Sequence, residues 1–190
     1  MGSLGCLEDT TKSVHLIVSN SSKAEMFVYD KLKAVCKATR ESVFEVETKK
    51  DFMNMEELSS MIPYLADKWL FIVNYSKLKS LCKNYKTVFM SDTSVFLVKA
   101  KNYRDYKEFK ELVPICNDMY LSYLRSREIY AIFKGYSLSD KQGKFIANSY
   151  GGEVDKLFEL KEKLDNGLEV YLYTKDTVHS NYVTFTTKYG

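Results

Sequence analysis

The chain has 190 residues, of which 45% are hydrophobic and 28% charged, and its formal net charge is +3. This length and composition are typical of a globular protein with one full core, or one α/β domain and a small helical one. So small a charge does not by itself indicate nucleic-acid binding. The longest apolar run, Trp69 to Val73, is too short to span a bilayer, and we expect no membrane partner.

The four cysteines are widely spaced and form no C-x-x-C pair, which argues against a zinc site and against a redox motif. Two of them fall on apolar faces, as core thiols do in a reducing compartment. We therefore expect no metal and a cytoplasmic location. The four are Cys6, Cys36, Cys82 and Cys116.

Strand and helix patterns alternate from residue 13 to residue 116, after a leader (1–12) that we interpret as flexible. Such alternation is typical of βαβ units and predicts an α/β domain with a largely parallel sheet. The predicted strands are 14–19, 42–47, 69–73, 94–98 and 113–116. The predicted helices are 23–38, 54–60 with Asn54 as its cap, 75–84 and 104–111.

The pattern changes at Asn117, after which three helices are predicted at 119–134, 139–150 and 153–166. Ser139 is the expected N-cap of the second, and the pair Gly151-Gly152 ends it. Residues 117–167 are therefore predicted to form a small three-helix lid domain. The last segment, 168–190, alternates weakly and is either a hairpin or the start of a further domain.

The loop from Ser19 to Lys23 lies between a predicted apolar strand and a helix, where a P-loop protein binds phosphate. That chemistry requires the pattern G-x-x-x-x-G-K-[ST], because glycine lets backbone N–H groups approach phosphate oxygens. This loop contains no glycine. We expect no nucleotide or other cofactor, and a protein that binds partners and is not an enzyme.

Four apolar residues, Met61, Ile62, Tyr64 and Leu65, stand in one predicted connection beside Pro63. An exposed cluster of this kind is a candidate hot spot for protein binding, since burying Tyr or Leu in a partner contributes roughly 1.5–3 kcal/mol each. The alternative is that these side chains cap the core of the chain's own sheet.

Acidic residues predominate in 41–67 and basic residues in 74–110. A solvated face is one interpretation of the basic stretch, and a surface near DNA or an acidic partner is the other. Tyr103 and Tyr106 alternate with cations there, as in surfaces that stack on single-stranded nucleic acid. The candidate nucleic-acid contacts are Lys99, Lys101, Tyr103, Arg104 and Lys107.

Three stretches resemble the delta subunit of the bacterial DNA polymerase III clamp loader, over about residues 13–167. They are VHLIVSNSSKAEMFVYDKL, SSMIPYLADKWLFIV and YSLSDKQGKFIANSYGGEVDKLFELKEKL. Tyr64-Leu65 stands at the Leu-Phe positions of the family's turn and Lys68 at its basic position, while Glu153 replaces an Asp. The predominance of lysine over arginine fits an AT-rich genome, such as that of a low-GC bacterium or its phage.

The resemblance implies an AAA+/RecA-like α/β domain that lacks a P-loop and is followed by a lid. It implies a non-catalytic subunit that binds and opens the DNA sliding clamp through the Met61–Leu65 wedge, while partner subunits hydrolyse ATP. The implied partners are the clamp, other clamp-loader or replisome subunits, and DNA. The family's collar domain would begin near residue 168, so the chain is either a fragment or a short relative.

Two other functions remain open from the sequence. One is a nucleic-acid-binding replication adaptor that uses the basic 74–110 surface. The other is a divergent nucleotide hydrolase that uses Lys23 and Asp92, the latter standing where some ATPases hold a metal-binding acid.

Overall fold

A computed structural model of the chain describes residues 12–81, 85–114, 116–136 and 139–166. Nearly all of the predicted leader and all of the predicted C-terminal segment lie outside them. The chain divides into two compact units, Met1–Tyr120 and Leu121–Gly190. The first unit contains β1 (Val14–Val18), α1 (Ser22–Val35), β2 (Val43–Val46), α2 (Lys49–Leu58), β3 (Trp69–Asn74), α3 (Tyr75–Leu81), β4 (Ser94–Ala100), α4 (Tyr103–Leu112) and β5 (Asn117–Tyr120). The second contains α5 (Ser126–Ile132), α6 (Asp140–Tyr150) and α7 (Val154–Asp165).

The five strands of the first unit form one parallel sheet in the order β2-β3-β4-β1-β5. This confirms the predicted α/β class. The interior strand β1 pairs with β4 on one side and β5 on the other, so that Leu16 is opposite both Val98 and Asp118. All five residues of β1 are buried, including His15. A nearly continuous apolar run is what a strand covered on both faces requires.

A row of phenylalanines crosses the sheet and fixes its register. Phe44, Phe71 and Phe96 are opposite one another on β2, β3 and β4. Their ring centroids lie 5.8 Å and 5.5 Å apart. Cross-strand aromatic pairs of this kind each contribute about 0.5–1.5 kcal/mol beyond the area they bury. A shift of one residue in any strand would turn its ring to the other face.

The edge strand β5 is attached to α4 through a buried polar cluster. The Tyr106 hydroxyl donates to the Asp118 carboxylate, and Lys110 Nζ lies 2.9 Å from the other carboxylate oxygen. Burial, reinforced by the hydrogen bond to Asp118, raises the pKa of Tyr106 to about 12. Burial by itself would raise the pKa of Asp118, but the bonds from Tyr106 and Lys110 lower it below its ordinary value. Asp118 therefore stays ionised and joins α4 to β5.

The second helix begins earlier than predicted. Asn54 lies in the interior of α2, and the N-cap is Thr48, so the predicted start at 54 is wrong. The Thr48 hydroxyl accepts from the Asp51 N–H at 3.2 Å, and the Asp51 carboxylate accepts from the Thr48 N–H at 2.8 Å. This reciprocal capping box satisfies two N–H groups at the helix start and so adds a turn before Asn54.

The last strand among the described residues is Asn117–Tyr120, so the predicted strand at 113–116 is wrong, as is a helix beginning at Met119. Val113 and Cys116 are buried, as their apolar character suggests, but the ladder with β1 is made by the polar sequence NDMY. The contacts of Asp118 with α4 explain why, since they stabilise a strand that local propensity does not favour. The helix that follows, α5, begins only at Ser126.

In the second unit α5 packs on α6 and α6 on α7. The predicted cap of α6 is confirmed, because Ser139 Oγ accepts from the Gln142 N–H at 3.3 Å. At the end of α6, the Gly151 backbone lies close to the backbones of Ala147 and Leu124. Gly151 N donates to the Ala147 carbonyl at 2.9 Å, and its own carbonyl accepts from Leu124 N at 2.8 Å.

We predict that Gly151→Ala destabilises the protein by about 1–3 kcal/mol. A Cβ at this position would lie 2.4 Å from the Ala147 carbonyl oxygen and 2.5 Å from that of Leu124, and backbone atoms cannot move aside cheaply. The helical φ of −58° rules out backbone strain as a second cause. Thermal and urea unfolding followed by circular dichroism measure the change.

The matched control is Gly152→Ala, whose Cβ would meet only the Tyr123 ring at 3.7 Å and 3.8 Å, an ordinary contact. Equal melting temperatures for the two variants would contradict the prediction.

Candidate functional site

The connection between α2 and β3 presents the four predicted apolar residues to solvent. We call residues 61–65 the apolar loop. Its exposed fractions are 46% for Met61, 83% for Ile62, 94% for Tyr64 and 63% for Leu65, while Pro63 is buried. These side chains therefore do not cap the core of the sheet, and that alternative is wrong.

The chain entering the apolar loop is held by side chains from two other segments. The Ser59 carbonyl accepts from Ser91 Oγ at 2.6 Å and from Thr93 Oγ1 at 2.8 Å, both located just before β4. The Met61 carbonyl accepts from the Trp69 indole N–H at 2.8 Å. These contacts could not be predicted from local sequence patterns, because the partners stand 8 to 34 residues apart.

The chain leaving the apolar loop is held against the end of α1. The Asp67 N–H donates to the Cys36 carbonyl at 3.0 Å, and the Asp67 carboxylate lies 3.0 Å from Lys37 Nζ. Both ends of the loop are thus fixed and its apolar side chains are free. Such an arrangement lowers the conformational cost of binding, since little order remains to be imposed.

The apolar loop lies at the amino edge of the parallel sheet, because it leads into β3. Ser91, Thr93 and the exposed Met90 lie at the same edge, because they lead into β4. The loops that follow β1 and β4 lie at the opposite, carboxyl edge. Met90, 80% exposed, is an apolar residue of this edge that the sequence did not single out.

The two residues of the alternative nucleotide hydrolase are not brought together. Lys23 follows β1 at the carboxyl edge and Asp92 precedes β4 at the amino edge. Since a strand rises about 3.3 Å per residue, the length of the sheet separates them. At the start of α1, Ser21 Oγ accepts from the Ala24 N–H at 2.9 Å, which occupies a donor that a phosphate would need.

The candidate nucleic-acid residues surround the start of α4. Lys101, Tyr103, Arg104 and Lys107 are exposed, and Asn102 caps the helix by accepting from the Asp105 N–H at 2.9 Å. The Tyr103 ring is 59% exposed. It stacks on Tyr106, which is buried and bonded to Asp118, so only Tyr103 presents a ring to solvent.

Most other cations of the basic stretch that the structure describes are already paired with carboxylates. Lys99, one of the candidate contacts, lies 2.9 Å from Glu25. Three further lysines are engaged likewise: Lys77 with Glu47 at 2.6 Å, Lys79 with Asp105 at 3.1 Å and Glu108 at 3.0 Å, and Lys110 with Asp118 at 2.9 Å. In the described segments no ion pair involves Lys101, Arg104 or Lys107, and we call these three with Tyr103 the basic surface.

Over the described ranges, no helix is long and apolar enough to cross a membrane. The same ranges hold no group of three or more His, Cys, Asp or Glu side chains suited to a metal ion.

The fold resembles that of solved clamp-loader proteins. A Bacillus subtilis DNA clamp loader delta protein (YqeN) superposes with a TM-score of 0.55 at 12% identity, covering 86% of this chain and 56% of that one. A DNA polymerase III gamma subunit-related protein of Thermotoga maritima gives 0.46 at 13% identity, covering 86% and 59%. No family model and no curated protein matches the sequence.

The chain spans just over half the length of these two structures. The resemblance to the delta subunit inferred from the sequence is confirmed at the level of the fold. This chain has the α/β architecture of a clamp-loader delta protein.

We predict that the chain does not bind ATP at micromolar concentrations. The Ser19–Lys23 loop has no glycine, and the Ser21 side chain caps α1, so the backbone donors of a phosphate site are missing. Isothermal titration with Mg-ATP is expected to give only heat of dilution. Micromolar binding that Lys23→Ala abolishes and Lys31→Ala, further along the same helix, leaves intact would contradict this.

Proposed function

We propose that the chain is a delta-like clamp-loader subunit that binds the sliding clamp during DNA replication and opens it. The observation that carries the proposal is the apolar loop, with four exposed apolar side chains on a backbone tethered at both ends. The clamp-loader fold of the α/β unit supports it. In this proposal the chain acts in the cytoplasm with other clamp-loader or replisome subunits.

The exposure of the loop favours docking over a structural role. Single exposed apolar residues are normal on protein surfaces, but a contiguous group at one loop is typical of an interaction site. Burying Tyr64 and Leu65 in a partner would stabilise a complex by roughly 1.5–3 kcal/mol each. Tyr is also among the residues enriched at the centres of interfaces.

A binding protein can open a ring without chemistry of its own. If the loop binds the open clamp more tightly than the closed one, binding shifts the population toward the open ring by that difference in affinity. Energy for cycling between bound and released states then comes from ATP hydrolysis in partner subunits. The separation of Lys23 from Asp92 agrees with a subunit that does not hydrolyse ATP itself.

We predict that Tyr64→Ala/Leu65→Ala weakens binding to the cognate sliding clamp by about 2–5 kcal/mol, as loss of central interface residues does. Both side chains are exposed, so the melting temperature is expected to stay unchanged. Surface plasmon resonance with immobilised clamp measures the affinity.

The control is Met26→Ala/Met53→Ala, which removes two apolar side chains on α1 and α2 that are 57% and 59% exposed. Binding of the Tyr64/Leu65 variant at wild-type affinity would show that the apolar loop is not the docking site.

A second candidate function is binding of single-stranded nucleic acid by the basic surface. Three cations free of ion pairs in the described structure surround the exposed Tyr103 ring. The cations would attract the phosphate backbone of a single strand, and the ring offers a surface on which a base can stack. Because this surface lies at the carboxyl edge and the apolar loop at the amino edge, both contacts are sterically compatible.

We predict that the chain binds oligo-dT and that Lys101→Ala/Arg104→Ala/Lys107→Ala lowers the slope of log affinity against log salt by about 2. Each phosphate contact to a single strand contributes about 0.7 to that slope. Fluorescence anisotropy from low to moderate salt measures it. The control Lys141→Ala/Lys144→Ala/Lys163→Ala removes the same charge from the second unit, and an equal effect there would mean that binding is unspecific.

A further inference from the structure

We infer that Trp69 is a positioning residue for the apolar loop. It is the only tryptophan of the chain and the first residue of β3. The inference deepens the proposed function and rests on it, because the loop it positions is the proposed clamp-docking site.

The indole is fixed on its sheet side. Trp69 pairs with Ser94 in the β3–β4 ladder, and its ring packs against the core and lies 5.8 Å from the Phe44 ring at an angle of 57°. The main chain at this residue is held as well, because the Trp69 backbone N–H donates to the Thr93 carbonyl at 3.0 Å. A side chain packed this way has little rotational freedom, so its indole N–H points in a fixed direction.

The indole N–H, whose direction is fixed in this way, holds the first residue of the apolar loop. The indole Nε1 donates to the Met61 carbonyl at 2.8 Å, while the Met61 N–H donates to the Leu58 carbonyl at 2.9 Å. The peptide groups on both sides of Met61 are thereby held, immediately before the most exposed residues of the loop. The Ser59 carbonyl, two residues earlier, is held by Ser91 and Thr93.

Trp69 favours docking because it restricts the conformations of the apolar loop before a partner binds. An untethered loop would sample many conformations, and a partner would bind only the fraction with the right shape. Because the hydrogen bond keeps that fraction high, its loss weakens binding without removing any contact with the partner. The indole also lies next to the site, so its fluorescence is expected to change when a partner covers the loop.

The test replaces Trp69 by 3-benzothienylalanine, in which sulfur takes the place of the indole N–H and the ring keeps its size. The matched control is the same protein made by the same route with tryptophan. We expect clamp affinity to fall about fivefold, the equivalent of one net hydrogen bond. In the free chain, hydrogen exchange at the Met61 amide is expected to accelerate several-fold, with β1 and β4 amides and the melting temperature unchanged.

Unchanged exchange at Met61 and unchanged affinity would overturn the inference. A lower melting temperature with faster exchange throughout the sheet would also overturn it, because Trp69 would then act on global stability only. If the tryptophan control does not bind clamp, or if Tyr64→Ala/Leu65→Ala binds as well as it does, the proposed function fails. The exchange experiment on the free chain still decides whether Trp69 orders the loop.

Discussion

The parallel pairing of β1 between β4 and β5 is the constraint on which the rest of the first unit depends. In a parallel sheet every helix must return the chain to the same end, so connections alternate strictly between the two edges. The segment between α2 and β3 must therefore emerge at the amino edge. The start of α4 must lie at the carboxyl edge, because it follows β4.

This geometry places the apolar loop and the basic surface at opposite edges of the sheet. The apolar loop and the residues that tether it, Ser91 and Thr93, share one edge because both precede strands that are neighbours in the sheet. The basic surface occupies the other edge. Lys23 and Asp92 are separated for the same reason, so these two residues do not form a combined phosphate and metal site.

Ion pairs reduce the number of unpaired cations in the basic stretch. The lysines at 77, 79, 99 and 110 lie within 3.1 Å of carboxylates. Exposed pairs of this kind stabilise the fold by at most about 1 kcal/mol, but they cancel local charge. The hydrogen bonds to Glu108 and Asp105 also raise the pKa of Lys79 above its ordinary value. Among the described cations of the basic stretch, those without an ion pair therefore lie at the start of α4.

The sequence by itself determined the alternation of strands and helices, the apolar character of β1, the Ser139 cap and the identity of the apolar cluster. All of these follow from hydrophobic periodicity and local capping within a few residues. The start of α2 also depends on residues close together in the sequence, since Thr48 and Asp51 form a capping box. Only the tertiary structure decided that NDMY forms β5, that the apolar cluster is exposed, and that Trp69 holds it. These depend on contacts such as those of Asp118 with α4 and of Ser59 with Ser91 and Thr93, whose free energy comes from residues that only the folded sheet brings together.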